Sequence, residues 1–327
     1  EGSLVVLPEY SNAGGLSDKE RELMALPRAE KMKQEMARIA KEKNAYVAIN
    51  VLEKRDGKLK NSTYLFNKKG EVAFVYDKIH LPPSEVTLGV ERGAGACICD
   101  LDGIRFGFMT CYDFYFYESF APLARQNVDV IIGCSHQRSD LHSALETMSK
   151  FCAYNTNAYV VRASVSMDEH SDIGGASMIV SPRGDVLVNM GSRVGMECVE
   201  FDPHEKYYKP AGFGNPLSAH YEYIEKGRRP WKYRPAGSAI TTPDAWTAFP
   251  RVCAHRGFST VAPENSMPAF GAAVALGAQE IEFDLWPTKD GEIVSCHDDT
   301  LERVSTGNGK IYEHTLAELE KLEEAEK

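Results

Sequence analysis

Between residues 203 and 250 the chain loses its regular hydrophobic period. Pro203, Pro210, Pro216, Pro230, Pro235 and Pro243 punctuate the stretch, aromatic residues crowd it, and a basic knot, GRRP, stands at 227–230. On either side, short apolar runs suited to strands alternate with amphipathic runs suited to helices. The pattern therefore predicts a folded region at 1–202, a linker or wrapping segment at 203–250, and a second folded region at 251–327. Length agrees, since 327 residues suit two domains or one large domain with an appendage at roughly 150 residues per domain.

With 43% hydrophobic and 26% charged residues, a substantial core can form. Lys and Arg total 37 against 47 for Asp and Glu, a formal charge of −10 that disfavours broad binding to nucleic acid or an anionic membrane. The expected partners are small molecules or other protein chains, and a homo-oligomer is compatible with the sequence. Apolar runs such as 128–133 are far too short to span a bilayer, so no transmembrane segment is expected. Residues 1–10 lack the basic flank and cleavage site of a signal peptide, and the chain reads as soluble and cytoplasmic. Eight scattered cysteines with no CxxC predict no disulfides. The run LVVLP at 4–8 reads as a strand with no preceding element to pair with, so the chain reads as starting inside a domain.

After that strand, helices are predicted near 18–26 and 28–43, separated by Pro27. Strands are expected at 45–52, 60–67, 71–78 and 104–110, the last ending on Cys111. Helices at 116–126 and 141–155 alternate with strands at 128–133 and 158–166, followed by a hairpin over 177–190 and a last strand at 197–201. Such alternation predicts an α/β fold in which helices cover mixed sheet. Beyond the linker, strands are predicted at 251–255, 279–285 and 292–296. Helices are predicted at 266–276 and 315–325, the latter opened by a Thr315/Glu318 capping box.

Three segments each set one reactive residue at a strand end: Glu9 after LVVLP, Lys78 in YDKIHLPPSE, and Cys111 in FGFMTCYDFYFYE. A carboxylate can deprotonate a thiol, the thiolate can attack a carbonyl carbon, and an ammonium can hold the developing oxyanion. A lone cysteine after a strand is most simply a small buried residue; the three segments together favour chemistry. At a strand-to-helix turn, Cys111 would also gain from the Tyr112 backbone amide and from the helix that follows.

Through LPEY, YDKIHLPP, TCYD and GGASMIVSPRGDVL, in that order, residues 3–202 resemble the nitrilase superfamily of carbon–nitrogen hydrolases. The resemblance implies an α-β-β-α layered sandwich whose first strand and helix precede the LPEY strand and are missing here. It also implies a catalytic set with Glu9 as general base, Lys78 as oxyanion and proton-relay partner, and Cys111 as nucleophile. A second family glutamate is best matched by Glu85, with Glu91 in reserve, and Tyr112 falls at the substrate. No cofactor is implied. The CYD motif points to amide or carbamoyl hydrolysis. Phe114, Tyr115 and Phe116 stand where many members carry an arginine, so a pocket for an aromatic or uncharged acyl group is expected.

The second region groups His255 and Arg256 in CAHRGF, Glu264 in APEN, Glu282 and Asp284 in EFD, and His297 in SCHDD. Two histidines can exchange a proton with nucleophile and leaving oxygen, carboxylates spaced i and i+2 suit a hard cation, and an adjacent arginine suits phosphate. Through HRGF, APENSMPAF and EIEFDLWPTKDGEIVSCHDDTLERVSTG, residues 251–319 resemble the start of the glycerophosphodiester phosphodiesterase family, a TIM (β/α)8 barrel. The resemblance implies His255 and His297 as acid and base, and Glu282 and Asp284 as ligands of a divalent metal, Mg or Ca. It places Arg256 and Glu264 at the phosphate site. The family's further metal-binding glutamate and most of its barrel strands would lie beyond Lys327.

The leading expectation is thus a fragment of a bifunctional hydrolase acting on small-molecule amides and glycerophosphodiesters, the latter only in a completed barrel. Two alternatives stay open: a phosphodiesterase whose nitrilase-like half is an assembly domain, and a non-catalytic fragment. GNGK at 307–310 lacks the Ser or Thr that a phosphate loop needs after its lysine, GRRP reads as a docking segment, and His136, His142 and His170 show no metal-ligand spacing.

Overall fold

The computed structural model describes residues 2–16, 24–94, 97–210, 212, 214–227 and 251–322. Its contacts divide the chain into two units, Glu1–Gly227 and Arg228–Lys327.

In the first unit β1 (Ser3–Val6) pairs in parallel with β2 (Ala45–Arg55), and β3 (Lys58–Phe66) and β4 (Val72–Asp77) follow antiparallel. β2 is buried along most of its length, a pattern that a strand shows where both of its faces are covered. A second sheet contains β5 (Ile98–Leu101), β6 (Ile104–Thr110), β7 (Val130–Ser135), β8 (Tyr159–Ser164), β9 (Met178–Val180) and β10 (Val186–Asn189). Its order is β10-β9-β8-β7-β6-β5, parallel across β6, β7 and β8 and antiparallel at both edges.

Side-chain alternation sorts these strands into layers. Tyr46, Ala48, Leu65 and Tyr76 of the first sheet meet Phe106, Phe108, Val130, Ile132 and Tyr159 of the second. On the other face of the first sheet Val47, Ile49, Val51 and Phe66 pack on Ala29 and Ala40 of α1 (Leu26–Lys43). α2 (Pro83–Leu88) follows β4. The outer face of the second sheet, with Ile131 and Val160, packs on Phe120 and Leu123 of α3 (Phe120–Arg125) and on Leu145, Cys152 and Ala153 of α4 (His142–Thr156). The result is an α-β-β-α sandwich.

Several local expectations fail for physical reasons. Pro27 does not separate a pair of helices; it lies in the first turn of α1, where its missing N–H would have had no partner. The rest of the helix predicted at 18–26 falls largely outside the described residues. The helix predicted at 116–126 reduces to a 3-10 turn, Tyr117–Ser119, and the short α3, and another 3-10 turn, Cys111–Tyr115, precedes them. Residues 197–201 form no strand; Phe201 instead stacks on Tyr159 with ring centroids 4.1 Å apart. Regular structure also appears inside the proline-rich stretch, as the hairpin β11 (Tyr208–Pro210) and β12 (Leu217–Ala219) and the helix α5 (His220–Gly227). This tail is tied to the sandwich by reciprocal bonds between Asn157 and Tyr207 and by the Tyr159 hydroxyl donating to Glu205 (2.6 Å). The remaining residues of the predicted linker, 228–250, lie outside the described residues.

In the second unit β13 (Cys253–His255) pairs in parallel with β14 (Glu280–Glu282) across α6 (Met267–Ala275), whose Ser266 cap accepts from the Ala269 amide. β15 (Leu285–Pro287) and β16 (Ile293–Ser295) form a hairpin, so the single strand predicted at 279–285 breaks at Phe283 and Asp284. α7 (Leu316–Leu319) opens on the Thr315/Glu318 capping box.

Candidate functional site

The inner faces of the sandwich turn polar at one end. Asn50 of β2, Asn61 and Thr63 of β3 and Thr110 of β6 are all buried there. Glu9 enters from the turn after β1, its amide reaching the Ser135 carbonyl at 3.4 Å. Lys78 extends β4 by one position, donating its amide to Asn61 O (2.9 Å). Its ammonium then donates to Glu9 Oε1 (2.8 Å) and to Glu85 Oε1 (2.9 Å). Asn61 Nδ2 donates to the same two oxygens at 2.8 and 3.0 Å, and the Tyr10 hydroxyl donates to Glu85 at 2.6 Å. Asn50 orients this framework by donating to Asn61 Oδ1 (2.7 Å) and accepting from the Tyr10 amide (2.9 Å).

Cys111 follows β6 with φ +48°, left-handed backbone that strains a non-glycine residue. Burial pushes its thiol well above the ordinary range and the Glu9 carboxylate adds to this, while the Lys78 ammonium and the His136 backbone oppose it. For Lys78 burial favours the neutral amine, but Glu9, Cys111 and Glu85 outweigh it and raise its pKa. Burial raises Glu85 against the pull of Lys78, and Glu9 reinforces the rise. Glu85 Oε2 is buried with no hydrogen-bond partner among the described residues.

The structure brings Glu9, Lys78 and Glu85 together and leaves Glu91 at the surface, paired with Lys58 and Lys60. Tyr112 joins an aromatic group with Tyr115 (5.3 Å) and Phe116 (5.0 Å), and His80 stacks on Phe116 at 4.1 Å. Phe114 is buried core: a Cβ on Gly133 would stand 2.8 Å from its ring, so it cannot line a pocket as expected. The turn after Cys111 is a five-residue 3-10 helix, too short for the helix field expected to assist the thiolate. Asn61 and Asn50 carry no sequence signal, because polar residues in a strand read as its solvent face, and Tyr10 lies in the turn after β1, where the strand pattern says nothing of its hydroxyl.

In the second unit His255 Nε2 lies 3.7 Å from Glu282 Oε2. Arg256, with φ +57°, donates to Glu264 (3.1 Å) and lies 3.8 Å from Asp284. Glu264 also accepts from Arg303 (2.7 Å), Arg303 pairs with Asp298, and Asp298 meets His297 Nδ1 at 2.6 Å. A relay of charges thus links Asp284 to His297, with the two histidines engaged by different carboxylates. Arg303, then His297, hold the Asp298 carboxyl down to about 2. Asn265 bridges Asp284 (3.1 Å) and Ser295 (3.1 Å). Glu282 and Asp284 are donors of the right kind for a hard cation, but among the described residues no three His, Cys, Asp or Glu side chains gather to hold one.

Residues 2–202 match the model of the family described as carbon-nitrogen hydrolase. The chain belongs to this carbon–nitrogen hydrolase family. Solved structures agree on the fold: an amidase from Nesterenkonia sp. aligns with TM-score 0.53 at 18% identity, over 59% of this chain and 74% of that one. Nit3 of Saccharomyces cerevisiae, a branch 10 member of the nitrilase superfamily, aligns with TM-score 0.50 at 23% identity, over 58% of this chain and 73% of that one. The sandwich of this carbon–nitrogen hydrolase is therefore nitrilase-like.

Residues 255–327 match the glycerophosphoryl diester phosphodiesterase family. A glycerophosphodiester phosphodiesterase of Caldanaerobacter subterraneus subsp. tengcongensis is 47% identical over 72 residues, 22% of this chain and 30% of that protein. One from Bacillus subtilis is 41% identical over 70 residues, 21% of this chain and 24% of that protein. The chain spans less than a third of the length of these curated relatives. Among the described residues no helix is long and apolar enough to cross a membrane.

Proposed function

We propose that the first unit hydrolyses the C–N bond of a small carboxamide through a thioester on Cys111. The observation that carries this reading is Lys78 held between two buried glutamates, at 2.8 and 2.9 Å, beside a cysteine in left-handed backbone. Glu9 takes the Sγ proton as sulfur attacks the carbonyl carbon, and Lys78 with the Tyr112 amide holds the oxyanion. The C–N bond then breaks, Glu9 returns its proton to the leaving amine, and the acyl group remains on sulfur. Water, deprotonated by Glu9, attacks the thioester; the C–S bond breaks, releasing a carboxylic acid and restoring the thiol. Glu85 keeps Lys78 in place and offers its unpartnered Oε2 to a polar group of the substrate. Tyr112 and Phe116 favour an aromatic or uncharged acyl group.

The full chain, given aliphatic and aromatic carboxamides with hydroxylamine, should form hydroxamates from the trapped thioester. Cys111→Ala should abolish them with little change in core volume, and Lys78→Met should slow them by on the order of a hundredfold. Undiminished hydroxamate in Cys111→Ala would remove the thioester from the mechanism.

The charge relay from Asp284 to His297 favours a second reading for residues 251–327, the opening of a (β/α)8 barrel that cleaves glycerophosphodiesters. In it His255 and His297 exchange the protons, Arg256 and Glu264 line the phosphate site, and Glu282 and Asp284 are the residues a Mg or Ca ion would take. Turnover of glycerophosphocholine that is unchanged in His297→Ala would overturn this assignment. All eight cysteines are free, which suits the proposed cytoplasmic setting.

A further inference from the structure

Asp113 is buried two residues beyond Cys111, and its carboxylate is fully engaged. Oδ2 accepts from the Thr110 amide (2.8 Å) and the Tyr76 hydroxyl (2.7 Å). Oδ1 meets both the amide (3.0 Å) and Nδ1 (2.8 Å) of His80. A carboxylate offers about four lone-pair sites, so none is left for a proton in transit or a substrate. The four partners bracket the reactive residues: Tyr76 and His80 stand two positions either side of Lys78, and Thr110 immediately precedes Cys111. These two segments belong to different sheets, β4 in the first and β6 in the second. One buried carboxylate therefore clasps the lysine strand to the cysteine elbow.

We propose that Asp113 is a positioning residue that sets the spacing of Lys78 to Cys111 and holds Cys111 in its strained backbone. The proposal rests on the thioester reading above. It predicts a signature that neither a purely structural nor a purely electrostatic role would produce. Removing a negative charge near a thiol favours its thiolate and would speed alkylation. Loosening the Lys78–Cys111 geometry would slow it, and a displacement of about 1 Å can cost on the order of a hundredfold.

The experiment is pulsed iodoacetamide labelling of the full chain with mass-spectrometric readout at each cysteine. Exposed Cys198 reports reagent activity, while buried Cys134 and Cys152 report loss of fold. In Asp113→Asn, Cys111 should label about tenfold or more slowly relative to Cys198, with Cys134 and Cys152 still protected. Tyr76→Phe removes one donor from the clasp with little change in shape, and should slow Cys111 by about threefold. If Asp113→Asn exposes Cys134 and Cys152, the Tyr76→Phe rate decides. An unchanged or faster Cys111 rate in a folded variant overturns the clasp. Lys78→Met separates the two readings. A Cys111 that is slowed by Lys78→Met but indifferent to Asp113 and Tyr76 defeats the clasp alone. A Cys111 as inert as Cys134 in the unsubstituted chain, or unaffected by Lys78→Met, defeats the thioester site and the clasp with it.

Discussion

The two clusters use similar residue types in opposite settings. Glu9 and Lys78 are each 1% exposed and Glu85 is 5% exposed, whereas the side chains of His255, Glu282 and His297 are 71%, 45% and 41% exposed. In the first, little water intervenes, each charge depends on its neighbour, and removal of one leaves the others stranded. In the second, solvent and salt screen each pair, and removal of one leaves its partner hydrated. The same ion-pair chemistry is therefore tightly coupled in one unit and weakly coupled in the other.

The sharpest break of this comparison would come from stability. Lys78→Met should destabilise the first unit by about 3–5 kcal/mol, because it strands two buried carboxylates. Arg303→Met should cost the second unit about 1 kcal/mol or less. Urea unfolding checks both, with circular dichroism dominated by the sandwich and the emission of Trp286, isolated by replacing Trp231 and Trp246 with Phe, reporting the second unit. Equal losses would erase the contrast.

His220 supplies the counter-case of burial without a counter-charge. It packs against Tyr154, Tyr207 and Tyr223, neither ring nitrogen is bonded among the described residues, and burial with nearby Lys209 lowers its pKa to about 4. The unfolded chain then binds the extra proton first, so stability is complete above about pH 6.5 and falls as pH drops from there towards 4. His220→Phe should flatten that window in a pH series of thermal melts, and a slope unchanged by the substitution would mean that other groups carry it.

Salt gives a smaller effect. At 1 M NaCl, where the Debye length is about 3 Å, the cost of Arg303→Met should vanish while that of Lys78→Met persists. Smallest of all is the expected response to chelator, which should leave hydroxamate formation unchanged because the thioester route uses no cation. Calorimetric titration of the chain with Mg or Ca should likewise show only weak binding, in the millimolar range or above, since Asp284 already serves Asn265 and Arg256. A micromolar site would show that the second cluster is better built than its exposure implies.

Much of the first site was legible because strand ends are local features. Glu9, Lys78 and Cys111 each follow an apolar run that forms β1, β4 or β6 almost where the pattern predicts. Their scaffold was not legible. Asn61 sits in KLKNSTYLF, a run whose polar residues look solvent-facing, and only packing of the second sheet over β3 buries it between Glu9 and Glu85. Phe114 misled for the same reason, since its sequence position suggests the pocket while Gly133 of the neighbouring strand opens a slot for it in the core.

Hydrophobic period, turn chemistry and motif order are properties of short segments. For that reason the sequence alone determined the layered α/β class of the first region and which residue types stand at its strand ends. The burial of one glutamate and not the other belonged to tertiary structure. Motif order ranks Glu85 ahead of Glu91, but both follow Lys78 closely and neither hydrophobic period nor turn chemistry says which is buried. The turn of α2 buries Glu85 against Lys78, Asn61 and Tyr10, while Lys58 and Lys60 of β3 retain Glu91 at the surface. A carboxylate's role here depends on which distant cation reaches it after the sheets have stacked, and that distance is a property of the folded chain alone.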